Sequence, residues 1–340
     1  MIGPPPLTFM AAFTTLGDLM ALSTHVLVSA PRYRLKGGDV ASTAWTRRDF
    51  LKWSAAAGGI AIGGPVLLGA CSRVEEGGSA LAAARDSGSI RVGIAGEVPY
   101  GFTNAEGRVT GQAPEVARVV FGALGVEEID AQQVEFGNLI DSLNARRFDV
   151  VSAGMFITPA RCAEAAFSIP DYVAPTAFLV PRGNPRGITR FEDIVQQNLR
   201  LAVLQGAVEG GYAEDSGVPA DRIQVLPDQA GMLQSLLNQR VDAAALTNIS
   251  LNDLVDQNPA APVEVTEGFS PVINGKEVVS AGGFVFRRAD DDLRLAFDEE
   301  LRRAHQDGRW LKAASPFGFT EENLPPGDLT TAELCEAPAG

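Results

Sequence analysis

The sequence predicts an α/β protein of two lobes, each built on a largely parallel sheet, the two joined by a two-segment hinge. Three observations predict it. From about residue 88, short apolar runs of strand length alternate with segments whose apolar residues recur at helical spacing. The alternation restarts from Leu199, so a single sheet does not account for it. The chain is 46% apolar, and the roughly 270 residues from Cys71 onward can bury more than one core.

The elements follow in order. Ile90-Arg91-Val92-Gly93-Ile94-Ala95 reads as a buried strand, and Val116, Val119, Val120 and Leu124 share one helical face over 115–124. A short strand near Val134 precedes a helix over 138–147, and Phe148-Asp149-Val150-Val151-Ser152-Ala153 is the next strand. Thr158-Pro159 has the form of an N-cap followed by a first-turn proline. In the second half, strands over 199–204, 223–226 and 242–246 alternate with helices over 208–215, 229–239 and 251–257. Residues 279–286 read as a strand returning to the first lobe. Asp290-Asp291-Asp292 then opens a helix to residue 303, its acids at the positive end of the dipole. Extended segments near 178–182 and 280–284 are the expected crossings, and two crossings make a hinge that a ligand between the lobes closes. Lobe 1 is therefore expected over 88–180 and 280–340, and lobe 2 over 181–279.

Ahead of the lobes lies an address. Thr46-Arg47-Arg48-Asp49-Phe50-Leu51-Lys52 precedes an apolar stretch and then Leu68-Gly69-Ala70-Cys71. A paired arginine before a short hydrophobic region marks a twin-arginine export signal, and residues 53–68 are too short and glycine-rich to span a membrane. The segment ending at Cys71 resembles a lipobox, in which Cys71 is lipidated and heads the mature chain. Residues 45–70 are then the signal, and 71–87, with Glu75-Glu76-Gly77-Gly78-Ser79, a flexible tether. Residues 1–44 form an extension that such a signal does not need, and translation is expected to start at Met20 or beyond. The mature protein is expected outside the cytoplasmic membrane, as a monomer held to it only by a lipid.

Composition excludes several classes. There are 28 Lys and Arg against 42 Asp and Glu, a net charge of −14, and residues 1–70 hold six of the basic side chains but only three of the acidic ones. An acidic surface of this kind repels phosphate backbones, so nucleic acid is not an expected partner. Of two histidines, His25 precedes the signal and His305 lies on a helix, where it reads as a surface residue. No metal site, cofactor or Ser-His-Asp chemistry is expected from that inventory. Cys162 and Cys335 either pair in an oxidising compartment or Cys162 is a small packing residue, and spacing does not decide.

Polar and aromatic residues gather at the C-terminal ends of strands, where open α/β sheets bind ligands. Glu97, Tyr100 and Phe102 follow the first strand, Phe136 the second, and Phe156, Thr158 and Arg161 the third. In the other lobe the corresponding turns are Gly206-Ala207-Val208-Glu209 and Thr247-Asn248. Glu97-Val98-Pro99-Tyr100-Gly101-Phe102, Gly154-Met155-Phe156-Ile157-Thr158-Pro159-Ala160-Arg161 and Phe167-Ser168-Ile169-Pro170-Asp171-Tyr172 resemble the polar amino-acid family of ABC-transporter solute-binding proteins, family 3. His305-Gln306-Asp307-Gly308-Arg309-Trp310-Leu311-Lys312 resembles that family's C-terminal helix. The resemblance implies the type II periplasmic-binding-protein fold, no catalysis, and an ABC permease with its ATPase as partners. Within the family, Glu97, Tyr100, Phe136, Phe156 and Arg161 are similar in spacing to the ligand cage of ectoine- and hydroxyectoine-binding members, which implies a small zwitterionic solute.

These residue types suit such a ligand. Ectoine is a ring carrying a carboxylate and a delocalised amidinium. A guanidinium such as that of Arg161 matches the two carboxylate oxygens, and the helix N–H groups beside Thr158 add to the anion site. The faces of Tyr100, Phe136 and Phe156 each contribute roughly 0.5–2 kcal/mol to a desolvated cation, and Glu97 can accept the ring N–H groups. Gly206 reads as a tight turn with exposed N–H groups, and Glu209 as a solvated helix residue. Tyr172 and Tyr212 read as structural, and Phe102 as support beneath the cage. Members that bind α-amino acids place an Asp after the lobe 2 strand, where this chain has the neutral Leu246-Thr247-Asn248-Ile249. Thr247 and Asn248 remain hydrogen-bonding candidates for a carboxylate or hydroxyl. Two alternatives stay open: a receptor for arginine, glutamine or an opine-like cation, and an enzyme resembling cyclohexadienyl dehydratase with Glu97 as general acid.

Overall fold

Two mixed sheets carry the fold in a computed structural model that describes residues 79–273 and 275–336, all within the compact unit Cys71–Gly340. Residues 1–44, the signal over 45–70, Cys71 and the first part of the tether lie outside the described residues.

The first sheet runs Glu128–Gln133, Ser89–Ile94, Val150–Phe156, Ala281–Phe286 and Ala166–Phe167, with Tyr172–Val173 also paired to Ala281–Phe286. Its first three strands are parallel, Val92 lying opposite both Ala131 and Val150. Ala281–Phe286 returns antiparallel, with Gly282 opposite Phe156. Six of the seven residues of Val150–Phe156 are buried, as a central strand covered on both faces requires. The second sheet runs Ile223–Leu226, Leu201–Leu204, Ala243–Thr247, Thr176–Pro181 and Val263–Val265. Again three strands are parallel and the fourth returns antiparallel.

Each sheet has its own core. In the first lobe Val116, Val120 and Phe121 of the helix Gln112–Ala123 pack with Phe297, Leu301 and Trp310. The second sheet is covered on one face by Met232, Leu233, Leu251 and Leu254 and on the other by Phe178, Phe191 and Ile194.

Three expectations need correction. Residues 178–181 are not a crossing but part of the buried strand Thr176–Pro181, with Phe178 opposite Ala245. Four consecutive apolar side chains belong inside a sheet, so the chain crosses earlier, at Ala174-Pro175. Ala174 N donates to Ser280 O at 3.1 Å, which sets the two crossings side by side. The lobe boundary therefore lies near residue 175 rather than 180. The end of the expected tether is a helix, Ala80–Ser87, capped by Ser79 and with Ala84 buried in the first core; its alanines favour helix strongly enough to override the tether composition before it. His305 is half-buried against the Trp310 ring, its Nε2 3.1 Å from Asp171 O. Of the two cysteine alternatives, the disulfide stands: Cys162 and Cys335 are bonded, with Cα atoms 5.6 Å apart.

Candidate functional site

The C-terminal ends of the parallel strands in the two sheets face one cleft. Glu97, Tyr100, Phe136, Gly154, Phe156 and Arg161 line it from the first lobe, and Ala207, Val208, Glu209, Leu246 and Thr247 from the second.

Glu97 and Tyr100 sit in a tight loop after Ser89–Ile94, closed by Gly101 N donating to Glu97 O at 2.9 Å. Glu97 is buried and its Oε1 accepts the Ser250 hydroxyl at 2.8 Å. Burial raises its pKa to about 7, against the opposing pull of that hydrogen bond. Tyr100 donates to Thr247 Oγ1 at 3.2 Å, so the two lobes meet through a pair of side-chain hydrogen bonds. Gly154, at φ 65°, lets the Tyr100 ring lie against the strand: a Cβ there would be 2.2 Å from Tyr100 Cδ1. Behind Tyr100 stand Tyr172, at 5.2 Å between ring centroids, and Phe319, at 5.6 Å. Tyr172 donates to Gly154 O at 2.7 Å. Phe102 instead pairs with Phe317 at 6.4 Å, so support beneath Tyr100 comes from Tyr172 and Phe319.

Arg161 rides on the single-turn helix Pro159–Cys162, for which Thr158 is the N-cap and Pro159 the first-turn residue, as the sequence predicts. Its Nη1 donates to Phe156 O at 2.7 Å and its Nη2 to Gly206 O at 2.8 Å, while its Cζ lies 5.5 Å from the centre of the Phe136 ring. Both bonds go to neutral carbonyls. Burial pulls the guanidinium pKa down, and the charge of Glu209 pushes it back up. A half-buried guanidinium with no carboxylate partner among the described residues and with spare N–H groups is chemically an anion receptor.

Glu209 corrects the sequence reading most. In place of a solvated helix residue, the structure shows a side chain only 1% exposed, in the first turn of Val208–Asp215 and facing the cleft. Its Oε1 has no hydrogen-bond partner among the described residues. Burial raises its pKa to about 7, with Glu97 adding to the rise and Arg161 opposing it. The turn before it packs tightly on the other lobe: a Cβ on Gly206 would lie 2.5 Å from Gly137 Cα.

The remaining candidates divide. Thr247 faces Tyr100 and also caps the helix Asn248–Gln257. Thr158 Oγ1 is occupied by the Arg161 N–H at 3.3 Å, and Gly206 meets Arg161 through its carbonyl rather than its N–H. Neither they nor Asn248 line the cleft. The Asn248 Oδ1 is buried without a partner among the described residues. A neighbouring cavity of 330 Å³ shares Glu97 and Phe136 with the cleft and runs past Gln229 and Gln234. Among the described residues no group of three or more His, Cys, Asp or Glu is placed to hold a metal. No helix among them is long and apolar enough to cross a membrane.

Residues 90–320 match the bacterial extracellular solute-binding proteins, family 3. The chain belongs to that family. This solute-binding protein is 34% identical over 252 residues to the probable amino-acid ABC transporter periplasmic-binding protein y4tE of Sinorhizobium fredii, across 73% of this chain and 83% of that one. It is 25% identical over 236 residues to the L-cystine-binding protein TcyJ of Escherichia coli, across 69% and 84%. Among solved structures, EhuB in complex with hydroxyectoine superposes with a TM-score of 0.69 at 35% identity, covering 76% of this chain and 99% of that one. An ancestral arginine-binding protein bound to arginine gives 0.60 at 26%, covering 68% and 99%. The two-lobed type II periplasmic-binding-protein fold is thus shared. The protein is a solute-binding component of an amino-acid-type ABC importer, which works with a permease and its ATPase, and the relatives it matches are binding proteins rather than enzymes.

Proposed function

We propose that this solute-binding protein captures ectoine or hydroxyectoine between its lobes. A lipid on Cys71 would hold the exported monomer beside its permease. The observation that carries the reading is the Arg161 guanidinium, without a carboxylate partner among the described residues, in a cleft lined by Tyr100, Phe136, Phe156 and Glu97. The ligand carboxylate takes the spare N–H groups of Arg161. Its amidinium spreads over the aromatic faces and donates to Glu97, whose ionisation the cation favours. Thr158 and Gly206 serve the site by holding Arg161, and Thr247 by holding Tyr100. Likeness to hydroxyectoine-bound EhuB supports this choice of ligand.

Glu209 favours a second reading. A primary ammonium has no charged partner in the neutral turn at 246–249, but the buried Glu209 supplies one from the same lobe. A polar amino acid is therefore the rival ligand. Titration of the mature domain with hydroxyectoine tests the first reading: Arg161→Ala weakens binding by about 1.5–3 kcal/mol, the range for a hydrogen bond to a charged group. An unchanged affinity removes Arg161 from the ligand's carboxylate.

A further inference from the structure

The helix that carries Arg161 is poorly anchored by packing. Pro159–Cys162 is one turn of four residues, none of them buried. Beyond the Thr158 cap and the contacts of Arg161 itself, two bonds from distant residues hold it among the described residues. Arg288 Nη2 donates to Cys162 O at 2.6 Å, and Cys162 is bonded to Cys335. The second partner comes from 173 residues away in the chain. Cys335 ends the helix Thr331–Cys335, which is fixed to the first lobe where Thr331 Oγ1 donates to Ser168 O at 2.6 Å. Leu334 and Cys335 pack with Phe136 and Cys162 against a cluster of the first lobe that includes Leu139, Met155 and Ile157. Cys162 follows Arg161 directly, so a shift of its backbone is passed to the guanidinium.

We propose that the Cys162–Cys335 disulfide is a positioning bond for ligand recognition: by tying the single turn to the C-terminal helix, it holds Arg161 between the Phe136 ring and Gly206. The inference rests on the reading of Arg161 as the partner of the ligand's carboxylate. A disulfide that only stabilises acts mainly on the unfolded chain, so its loss lowers the melting temperature whatever residue stands at 161. A positioning bond makes affinity depend on the disulfide only while Arg161 is present.

A double-mutant cycle separates the two roles. Hydroxyectoine is titrated into the wild type, Cys162→Ser/Cys335→Ser, Arg161→Ala and the combined variant. Loss of the disulfide weakens binding about tenfold when Arg161 is present and less than about twofold when it is absent, a coupling of the size that neighbouring groups show. Equal losses in both backgrounds, or none in either, overturn the proposal. Amide hydrogen exchange of the ligand-free protein decides the matter whichever solute binds. With the disulfide opened by mutation or by dithiothreitol, the amides of residues 161–163 exchange faster while Val150–Phe156 keeps its protection. Unchanged exchange at 161–163, or a rise spread evenly over the lobe, refutes it. A protein that shows the local exchange but gives no heat with hydroxyectoine keeps the positioning bond and loses the proposed ligand.

Discussion

Glu209 is where the chemistry of single residues discriminates most sharply between ligands. Its carboxylate faces the same cleft as Arg161, and one oxygen is unsatisfied among the described residues. Glu209→Gln keeps the shape and removes the charge. If Glu97 and the aromatic walls serve the cation, hydroxyectoine affinity changes by less than about threefold, well below the roughly 1.5–3 kcal/mol that a charged hydrogen bond contributes. Calorimetry on the variant reads this directly, and a fall of that larger size would move the cation to Glu209. The residues at strand ends were legible in the sequence: Glu97, Tyr100, Phe136, Phe156 and Arg161 do line one cleft or its wall. Glu209 was not legible. An acid in the first turn of a helix looks like a solvated dipole partner, and only the approach of the other lobe buries it.

Among the elements, the strand Val150–Phe156 does more than fill a core. Its Gly154 takes a left-handed conformation and yields the space over which the Tyr100 ring lies. Gly154→Ala therefore displaces Tyr100 and costs about 1–3 kcal/mol of stability through backbone strain alone. A thermal melt and a ligand titration on the same sample should show both a lower melting temperature and weakened binding. Alternating strands and helices were readable from periodicity, and the helix Val208–Asp215 has the bounds the sequence predicts. The strand Thr176–Pro181 was misread as a crossing because a fully buried strand has no period to read. Ala80–Ser87 was misread because the tether beside it shares its small residues.

At the scale of the whole molecule, Glu97 of one lobe and Glu209 of the other share one desolvated space. Burial raises both pKa values from 4.5 to about 7. A carboxyl with a raised folded-state pKa holds a proton that the unfolded chain has released. The stability of the ligand-free protein therefore falls as pH rises from about 4.5 through 7. Asp298, raised by burial to about 6, acts in the same direction. A cation held by Glu97 favours its ionised form, so binding releases a proton and strengthens over the same range. Melting curves between pH 5 and 8 should show a declining ligand-free melting temperature and a growing increment on adding ligand. The opposite trend would mean that the carboxylates stay charged in the closed cleft. The two-lobe plan behind this behaviour was legible in the restart of the alternation from Leu199. The position of the crossing was not, because it is set by which sheet accepts Thr176–Pro181.

The proposed selectivity of the cleft is for a ring that carries a carboxylate and a diffuse cation. Calorimetry of the mature domain against ectoine, hydroxyectoine, glycine betaine, arginine and glutamine tests it most directly. Tight binding of ectoine or hydroxyectoine and weaker heats from the others are the expected result. Tight arginine or glutamine binding with no ectoine signal would contradict it.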